Sequence, residues 1–186
     1  GVGANIGKTE GVMKGSDRQT ANGNIRLIYR KGQFSFTNNM NFDYTEADQE
    51  SVAFSEFAKA NPYMRKYDAD GNVVKMLGYD YYETPIYSPM YNWNNNNINN
   101  TRTTGFTNNF EAEWRPMEEL RARVKLGIRN TNSRGKIFKS PFNKEYIDVP
   151  SEEKGSYSEN NSVTWEYDGD ASISYGKLLA DKHQLN

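Results

Sequence analysis

Three groups of residues are of types that could carry catalysis or bind a metal ion. His183 is the sole histidine, and no Gly-x-Ser-x-Gly turn accompanies it, so a hydrolase triad is not predicted. Asp68-Ala69-Asp70-Gly71 resembles the start of a calcium loop, but Tyr79 stands at the twelfth position, where an EF-hand needs glutamate, so a tight Asp-Gly turn is favoured. Glu152-Glu153 could flank a glycosidic bond, but their neighbours are typical of a solvated loop tip. The sequence therefore predicts no enzyme activity, no metal and no cofactor.

Recognition by aromatic rings and amides is indicated by the segment Tyr79–Trp93. It is rich in tyrosine and is followed by consecutive asparagines, Asn94 to Asn97. Rings offer apolar faces and amides offer paired donors and acceptors, which suits sugars or peptides. The alternative is that these rings pack the segment onto itself or onto a partner protein. Both interpretations stay open.

Long strands with regular alternation are the elements that would position these residues. Gln33–Thr45 alternates apolar and polar residues for about a dozen positions, so one face is oily and the other meets water. Strands of globular proteins have a mode of about 5–6 residues, whereas a tilted strand that crosses a bilayer needs about 9–11, so the length favours a membrane barrel. The predicted strands are Val2–Thr9, Ala21–Arg30, Gln33–Thr45, Thr103–Trp114, Leu120–Thr131 and Ser162–Tyr175, with a seventh beginning at His183.

The connections between these strands alternate between short and long. The short ones are Arg30–Gln33, Arg115–Glu119 and Gly176–Lys182, and the long ones are roughly Glu10–Thr20, Glu46–Arg102 and Asn132–Asn161. An outer-membrane barrel has short periplasmic turns and long extracellular loops, whereas a sandwich mixes hairpins with Greek-key crossings. The sequence therefore predicts an all-β fold, an up-and-down antiparallel transmembrane β-barrel segment of about six to seven strands from a larger, plugged barrel.

The alternation also predicts which side chains share a face. Those expected to meet lipid are Phe34, Phe36, Phe42, Phe106, Phe110, Trp114, Val124, Leu126, Trp165 and Ile173. Those expected to face the lumen are Asn41, Asp43, Glu111, Glu113, Arg121, Arg123, Glu166 and Asp168. Aromatics beside the short turns occupy the girdle position of such barrels; they are Tyr29, Phe34, Trp114 and Tyr175. Three residues break the pattern, since Ile28 falls on the polar face and Asn38 and Asn108 fall on the apolar one.

Charged residues line the predicted lumen face. Glu111 and Glu113 are expected opposite basic residues of the next strand, where pairs of opposite charge would hold the wall together. A functional interpretation has Arg129, with acids of the last predicted strand, contact a plug or a polar solute. The sequence does not distinguish between these structural and functional roles. The candidate substrate-binding residues from the loop and the strand are Tyr87, Tyr91, Trp93, Asn94 and Arg129.

Composition narrows the possible classes of protein. The 186-residue chain has no run of 18 apolar residues and a mean hydropathy of −0.93, which excludes a helical membrane protein but does not test for a barrel. A net charge of −1 offers no electrostatic footprint for nucleic acid. The absence of cysteine excludes disulfides and thiolate metal sites. The chain opens directly into an alternating segment and stops where a strand begins, so we expect it to be an interior piece of a longer chain.

Several segments resemble the barrel domain of the SusC/RagA family of TonB-dependent outer-membrane transporters of Bacteroidetes. They are Gly11–Arg18 (GVMKGSDR), Phe34–Asn39 (FSFTNN), Phe54–Asn72 (FSEFAKANPYMRKYDADGN) and Phe106–Trp114 (FTNNFEAEW). The resemblance runs over most of the chain and keeps its order. It implies that residues 1–186 are part of an outer-membrane β-barrel domain of a Gram-negative cell, with the plug and the remaining strands outside this sequence.

The resemblance further implies import of nutrient oligosaccharides or peptides, driven by TonB through a segment outside this sequence, with a SusD-like surface lipoprotein as partner. Two other functions remain open. A soluble all-β glycan-binding module would share the alternation and display the aromatic loop, and a purely structural surface protein would lack solute uptake.

Overall fold

The computed structural model describes residues 1–13, 15–50, 52–93, 95–179 and 183–185. Long strands dominate it. In chain order the strands are β1 (Val2–Glu10), β2 (Asp17–Lys31), β3 (Phe34–Asp48), β4 (Met76–Tyr79), β5 (Pro85–Tyr87), β6 (Ile98–Met117), β7 (Leu120–Lys139), β8 (Ser156–Tyr175), β9 (Lys177–Leu179) and β10 (His183–Leu185). Six of them form one antiparallel sheet in the order β1-β2-β3-β6-β7-β8. The prediction of an all-β, up-and-down antiparallel arrangement is confirmed.

This sheet is open in the described part of the chain. β1 and β8 are its two edges, and neither pairs with the other. The predicted seventh strand does begin at His183, but the prediction that Gly176–Lys182 is only a short connection is wrong: it contains β9, and β10 pairs with β9 in a separate two-stranded sheet. The reason is proximity along the chain, because β9 follows β8 after Gly176 alone and is the first strand that β10 can reach.

The strands extend further at the loop end than the alternation indicates. β6 begins at Ile98 instead of Thr103, β7 continues to Lys139 instead of Thr131, and β8 begins at Ser156 instead of Ser162. β2 likewise begins at Asp17, so the connection after β1 is shorter than predicted. Most side chains in these extensions are polar on both faces, so the alternation of hydrophobicity does not reveal them. The main-chain hydrogen-bond ladder nevertheless continues through them.

At the opposite end the turns match the prediction closely. Gly32-Gln33 joins β2 to β3, and Glu118-Glu119 joins β6 to β7. Gly32 has φ +58°, a left-handed backbone that glycine adopts without steric cost. Two-residue turns of this kind fix the register of each hairpin.

The ladder registers divide the six-stranded sheet into an apolar face and a polar face. Phe34 lies opposite Trp114 and Phe42 opposite Phe106, while Glu113 lies opposite Arg123. Ring centroids of Phe34 and Trp114 are 6.1 Å apart, and those of Phe42 and Phe106 are 5.2 Å apart. All residues expected to meet lipid lie on the apolar face, and all those expected in the lumen lie on the polar face.

Neither face of this sheet is covered within the described residues. The buried apolar side chains, Val52 and Pro89, both lie in the loop between β3 and β6. On the apolar face, by contrast, Ile173 is 79% exposed and Leu126 is 55% exposed. No helix in the described ranges is both long and apolar enough to cross a membrane.

The loop between β3 and β6 is long and carries structure of its own. It contains helix α1 (Phe54–Lys59), the hairpin of β4 and β5, and helix α2 (Pro89–Trp93). The loop between β7 and β8 is shorter and holds two 3₁₀ turns, Lys144–Tyr146 and Ser151–Glu153. Both loops leave the sheet at the same end.

Candidate functional site

The polar face carries a shallow concavity of about 530 Å³ across its first five strands. We call it the polar-face concavity. Side-chain amides dominate its lining, together with one guanidinium; the members used below are Asn5, Asn22, Asn24, Asn41, Asn109 and Arg129. A surface of this kind offers many hydrogen-bond donors and acceptors and little net charge.

Glycines on the polar face let neighbouring side chains lie flat against the sheet. The carboxylate of Asp168 occupies the space that a Cβ at Gly127 would fill, and the two residues are directly opposite in the ladder. Asp43 lies over Gly105 in the same way, with 3.4 Å between its Cβ and the position of an added Cβ. At these two positions the neighbouring carboxylate side chains therefore lie close to the main chain of the sheet.

Arg129 is the one sequence-predicted site residue that lines the polar-face concavity. Its Nη1 lies 3.6 Å from Oε2 of Glu166 on β8, and its Nε donates to Oγ1 of Thr107 on β6 at 3.4 Å. The side chain is held between both neighbouring strands and still remains 58% exposed. Its free donors are available to an anionic or polar group within the concavity.

A tighter charge cluster lies near the turn between β6 and β7. Glu113 accepts a hydrogen bond from Nε of Arg121 at 2.6 Å and pairs with Nε of Arg115 at 2.7 Å. Its side chain is only 12% exposed. Lys125 and Glu111 face each other at 3.9 Å two rows away. The contacts of Arg121 and Lys125 join β7 to β6, as the expectation of cross-strand pairs required, whereas the contact of Arg115 with Glu113 lies within β6.

The remaining predicted site residues lie in the loop between β3 and β6. Tyr87 is in β5, and Tyr91 and Trp93 are in α2. Lys75 Nζ lies 5.7 Å from the ring centroid of Tyr91, and Trp93 meets Phe57 edge-on at 6.1 Å. Asn94 falls outside the described residues. The structure thus places these aromatics within the body of the loop and Arg129 on the sheet.

Asparagines after α2 join the two long loops. Asn97 Nδ2 donates to the carbonyl of Asn92 at 2.8 Å and to Oδ1 of Asn143 at 3.1 Å. Asn95 Nδ2 donates to the same Oδ1 at 3.3 Å, and the main-chain N–H of Lys144 donates to Oδ1 of Asn92 at 2.8 Å. Asn92 and Asn143 are 7% and 4% exposed. We call Asn92, Asn95, Asn97 and Asn143 the amide network; its members are occupied by internal hydrogen bonds.

Charged side chains reinforce the second loop where it leaves the sheet. Lys139 Nζ lies 2.8 Å from Oε2 of Glu145, and this hydrogen bond raises the pKa of Lys139 above its usual value. Lys144 Nζ lies 2.5 Å from Oε2 of Glu56 in α1, which adds a second link between the loops.

Two highly exposed aromatic side chains lie at the tip of the hairpin of β4 and β5. Tyr81 and Tyr82 are 93% and 83% exposed and meet edge-on at 5.3 Å. Asp80 Oδ1 accepts from the N–H groups of Tyr82 and Thr84, both at 2.8 Å, so the tip is held in shape by one carboxylate. Both rings belong to the segment Tyr79–Trp93 that the sequence indicates for recognition, although they are not among the five candidate substrate-binding residues.

The proposed Asp-Gly turn at Asp68 is present. Oδ1 of Asp68 accepts from the N–H groups of Asp70 at 3.0 Å and Asn72 at 2.8 Å, and Gly71 has φ +84°. The carboxylate is used in shaping the turn. Over the described part of the chain, no cluster of three histidine, cysteine or acidic side chains could hold a metal ion.

A search of protein-family models finds no match to this chain, and a search of curated proteins finds no significant match either.

Proposed function

We propose that this chain forms part of the wall of an outer-membrane transporter barrel of the SusC/RagA type. In this proposal the apolar face meets lipid, the polar face lines the lumen and the long loops are extracellular. The transporter would import oligosaccharides or peptides together with a SusD-like lipoprotein, with TonB acting through a segment outside this sequence. One observation is the main support for the proposal: the apolar side chains of the apolar face form a band of limited height.

The band is measured along β3, where it runs from Phe34 beside the turn to Tyr44 near the loop. These ten residue steps span about 33 Å at roughly 3.3 Å per residue. At the tilt of about 40° that barrel strands adopt, the height becomes about 25 Å, which is the height of the apolar band of outer-membrane barrels. Aromatic rings mark both ends of the band on β3.

At the loop end the band reaches Ile6, Ala21, Tyr44 and Val163 on β1, β2, β3 and β8, and it stops at Phe106 on β6 and at Ile128 on β7. The row of ladder partners that follows it is entirely polar and consists of Lys8, Gln19, Glu46, Arg102, Arg134 and Asn161. In a soluble protein, the edge of an apolar surface follows the shape of the element that packs on it. In a membrane protein, the edge follows a plane, because the hydrocarbon of the bilayer ends at one. An entirely polar row that crosses all six strands supports the second case.

The open edges of the sheet also support a larger barrel. β1 and β8 each present unpaired main-chain groups along one side, and each such group would cost several kcal/mol in hydrocarbon. Further strands of the parent protein would pair with both edges. The polar-face concavity and Arg129 would then lie inside the lumen, where a plug or a polar solute could contact them.

A soluble all-β glycan-binding module is the second candidate, and the exposed rings of Tyr81 and Tyr82 favour it. Aromatic rings on a preshaped tip suit stacking against sugars. A purely structural surface protein, without solute uptake, is a third. The three functions differ in where the parent protein is found and in whether its loss affects growth on glycans or peptides.

The deciding experiment combines fractionation with cysteine labelling of the parent protein on its natively cysteine-free background in this region. Glu152→Cys lies in the loop after β7, and Glu118→Cys lies in the turn after β6; both positions are exposed. With a membrane-impermeant maleimide on intact cells, we expect labelling at position 152 and protection at position 118.

The reverse labelling would invert the topology. Recovery of the parent protein in a soluble periplasmic fraction, with both positions labelled after release, would refute the transporter and leave the binding module. Unchanged growth on all candidate glycans and peptides after deletion of the parent gene would favour the structural protein.

A further inference from the structure

Two arginines face each other directly just beyond the apolar band. Arg102 on β6 and Arg134 on β7 are ladder partners on the apolar face. They lie in the polar row that follows Tyr44, at the end of the sheet from which the long loops leave. Like charges that are directly opposite across a ladder destabilise the pair unless an anion compensates them.

Each arginine has one carboxylate beside it, on the outer flank of the pair. Arg102 Nη2 lies 2.9 Å from Oε1 of Glu46 on β3, and Arg134 pairs with Glu159 on β8. The resulting order across four strands is acid, base, base, acid. The two carboxylates are 25% and 30% exposed, while the arginine side chains are 55% and 53% exposed, so the cations form the outer surface.

Tyrosines hold both carboxylates in place. The hydroxyl of Tyr44 donates to Oε2 of Glu46 at 2.5 Å, and that of Tyr157 donates to Oε2 of Glu159 at 2.7 Å. Arg102 Cζ also lies 6.0 Å from the ring centroid of Tyr44. The side chains on both flanks are therefore held by hydrogen bonds, while more than half of each arginine side chain stays exposed.

We propose that Arg102 and Arg134 together bind the phosphate of an outer-leaflet glycolipid headgroup. The proposal rests on the proposed membrane location of the apolar face. A guanidinium has five N–H donors in a planar fork that matches phosphate oxygens, and one carboxylate partner leaves donors unused on each arginine. Residues directly above an apolar band lie at the depth of lipid headgroups, so the phosphate meets the pair without entering the hydrocarbon.

The test measures lipid binding to the full-length parent protein in detergent by native mass spectrometry. The probes are a diglucosamine-based glycolipid that carries phosphate monoesters, its dephosphorylated form, and inorganic phosphate. The test variant is Arg102→Gln/Arg134→Gln. The matched control is Arg26→Gln/Arg30→Gln, which removes two exposed arginines from the polar face of β2.

We expect the test variant to bind the phosphorylated glycolipid about tenfold more weakly, as the loss of a charge-assisted hydrogen bond of roughly 1.5 kcal/mol or more predicts. The control should bind it like the unaltered protein, and the dephosphorylated lipid should bind weakly to all forms. If the test variant folds poorly, Arg102→Lys/Arg134→Lys keeps both charges without the planar fork and should show a smaller loss.

Equal binding of the phosphorylated lipid by the test variant and the unaltered protein would overturn the proposal. Competition by millimolar inorganic phosphate at the same two arginines would assign the pair to soluble anions instead. Failure of the proposed function is distinguished by fractionation, since a protein that never reaches the outer membrane refutes the barrel regardless of the lipid result.

Discussion

Asn38 and Asn108 exchange two side-chain hydrogen bonds across the middle of the apolar face. Asn38 Nδ2 donates to Oδ1 of Asn108 at 3.2 Å, and Asn108 Nδ2 donates to Oδ1 of Asn38 at 3.1 Å. They sit diagonally on β3 and β6, flanked in the ladder by Phe110 and Met40. Two residues that each break the alternation therefore satisfy one another, and the exception costs the apolar face little.

This reciprocity predicts strong coupling between the two positions. Asn38→Ala should destabilise the folded parent protein by about 1–3 kcal/mol, because it leaves the Asn108 amide without its partner on an apolar surface. Asn38→Leu/Asn108→Leu should be nearly neutral, since both polar groups are removed together. Urea unfolding in detergent, arranged as a double-mutant cycle, gives the coupling energy. Additive effects of the two single changes would refute the pairing.

Glu113 is predicted to matter more for stability than Glu166. Glu113→Gln should lower the free energy of unfolding by about 1–3 kcal/mol, because it removes the charge that Arg115 and Arg121 share on a side chain only 12% exposed. Glu166→Gln, which loosens a 3.6 Å pair on a side chain 60% exposed, is the matched control and should have a small effect. The same unfolding assay measures both, and equal losses would contradict the distinction.

The turn at Gly32 is predicted to be sensitive to any side chain. Gly32→Ala should cost roughly 1–2 kcal/mol, because a Cβ is disfavoured at φ +58°. Gly23→Ala in β2 is the control, since an added Cβ meets nothing within 4 Å there. Thermal unfolding monitored by the heat-dependent shift in electrophoretic mobility compares the two variants. A Gly23→Ala variant that is as unstable as Gly32→Ala would rule out backbone strain as the cause.

The amide network is predicted to protect the long loop from proteolysis. Asn143→Ala removes the acceptor that Asn95 and Asn97 share, so α2 should detach from the loop after β7 more often. Trypsin cleavage after Arg65 or Lys66, both exposed, should become several-fold faster. Asn96→Gly is the control, because Asn96 is exposed and its φ of +54° suits glycine. Unchanged cleavage in Asn143→Ala would show that the network does not hold the loop.

The alternation of apolar and polar residues was sufficient to predict which side chains share a face. Within Gln33–Thr45 the side-chain period of two leaves one register that keeps charge off the apolar face, whereas the pairing of Phe34 with Trp114 was not predicted because it joins residues distant in the chain. Where most side chains on both faces are polar, as in the first residues of β6 and β8, the period of two is lost, and the predicted strands therefore begin too late.

The sequence by itself thus determined the all-β class, the order of the main strands, the two faces and the short turns, because each depends on local periodicity or on a residue's own backbone preference. Only the tertiary structure showed which residues and strands that are distant in the chain contact each other. It paired Asn38 with Asn108, set Arg102 against Arg134, joined Asn95 and Asn97 to Asn143 in the amide network and paired β10 with β9. These relationships join residues distant in the chain or depend on which strand is reached first, and hydrophobic periodicity carries no information about either.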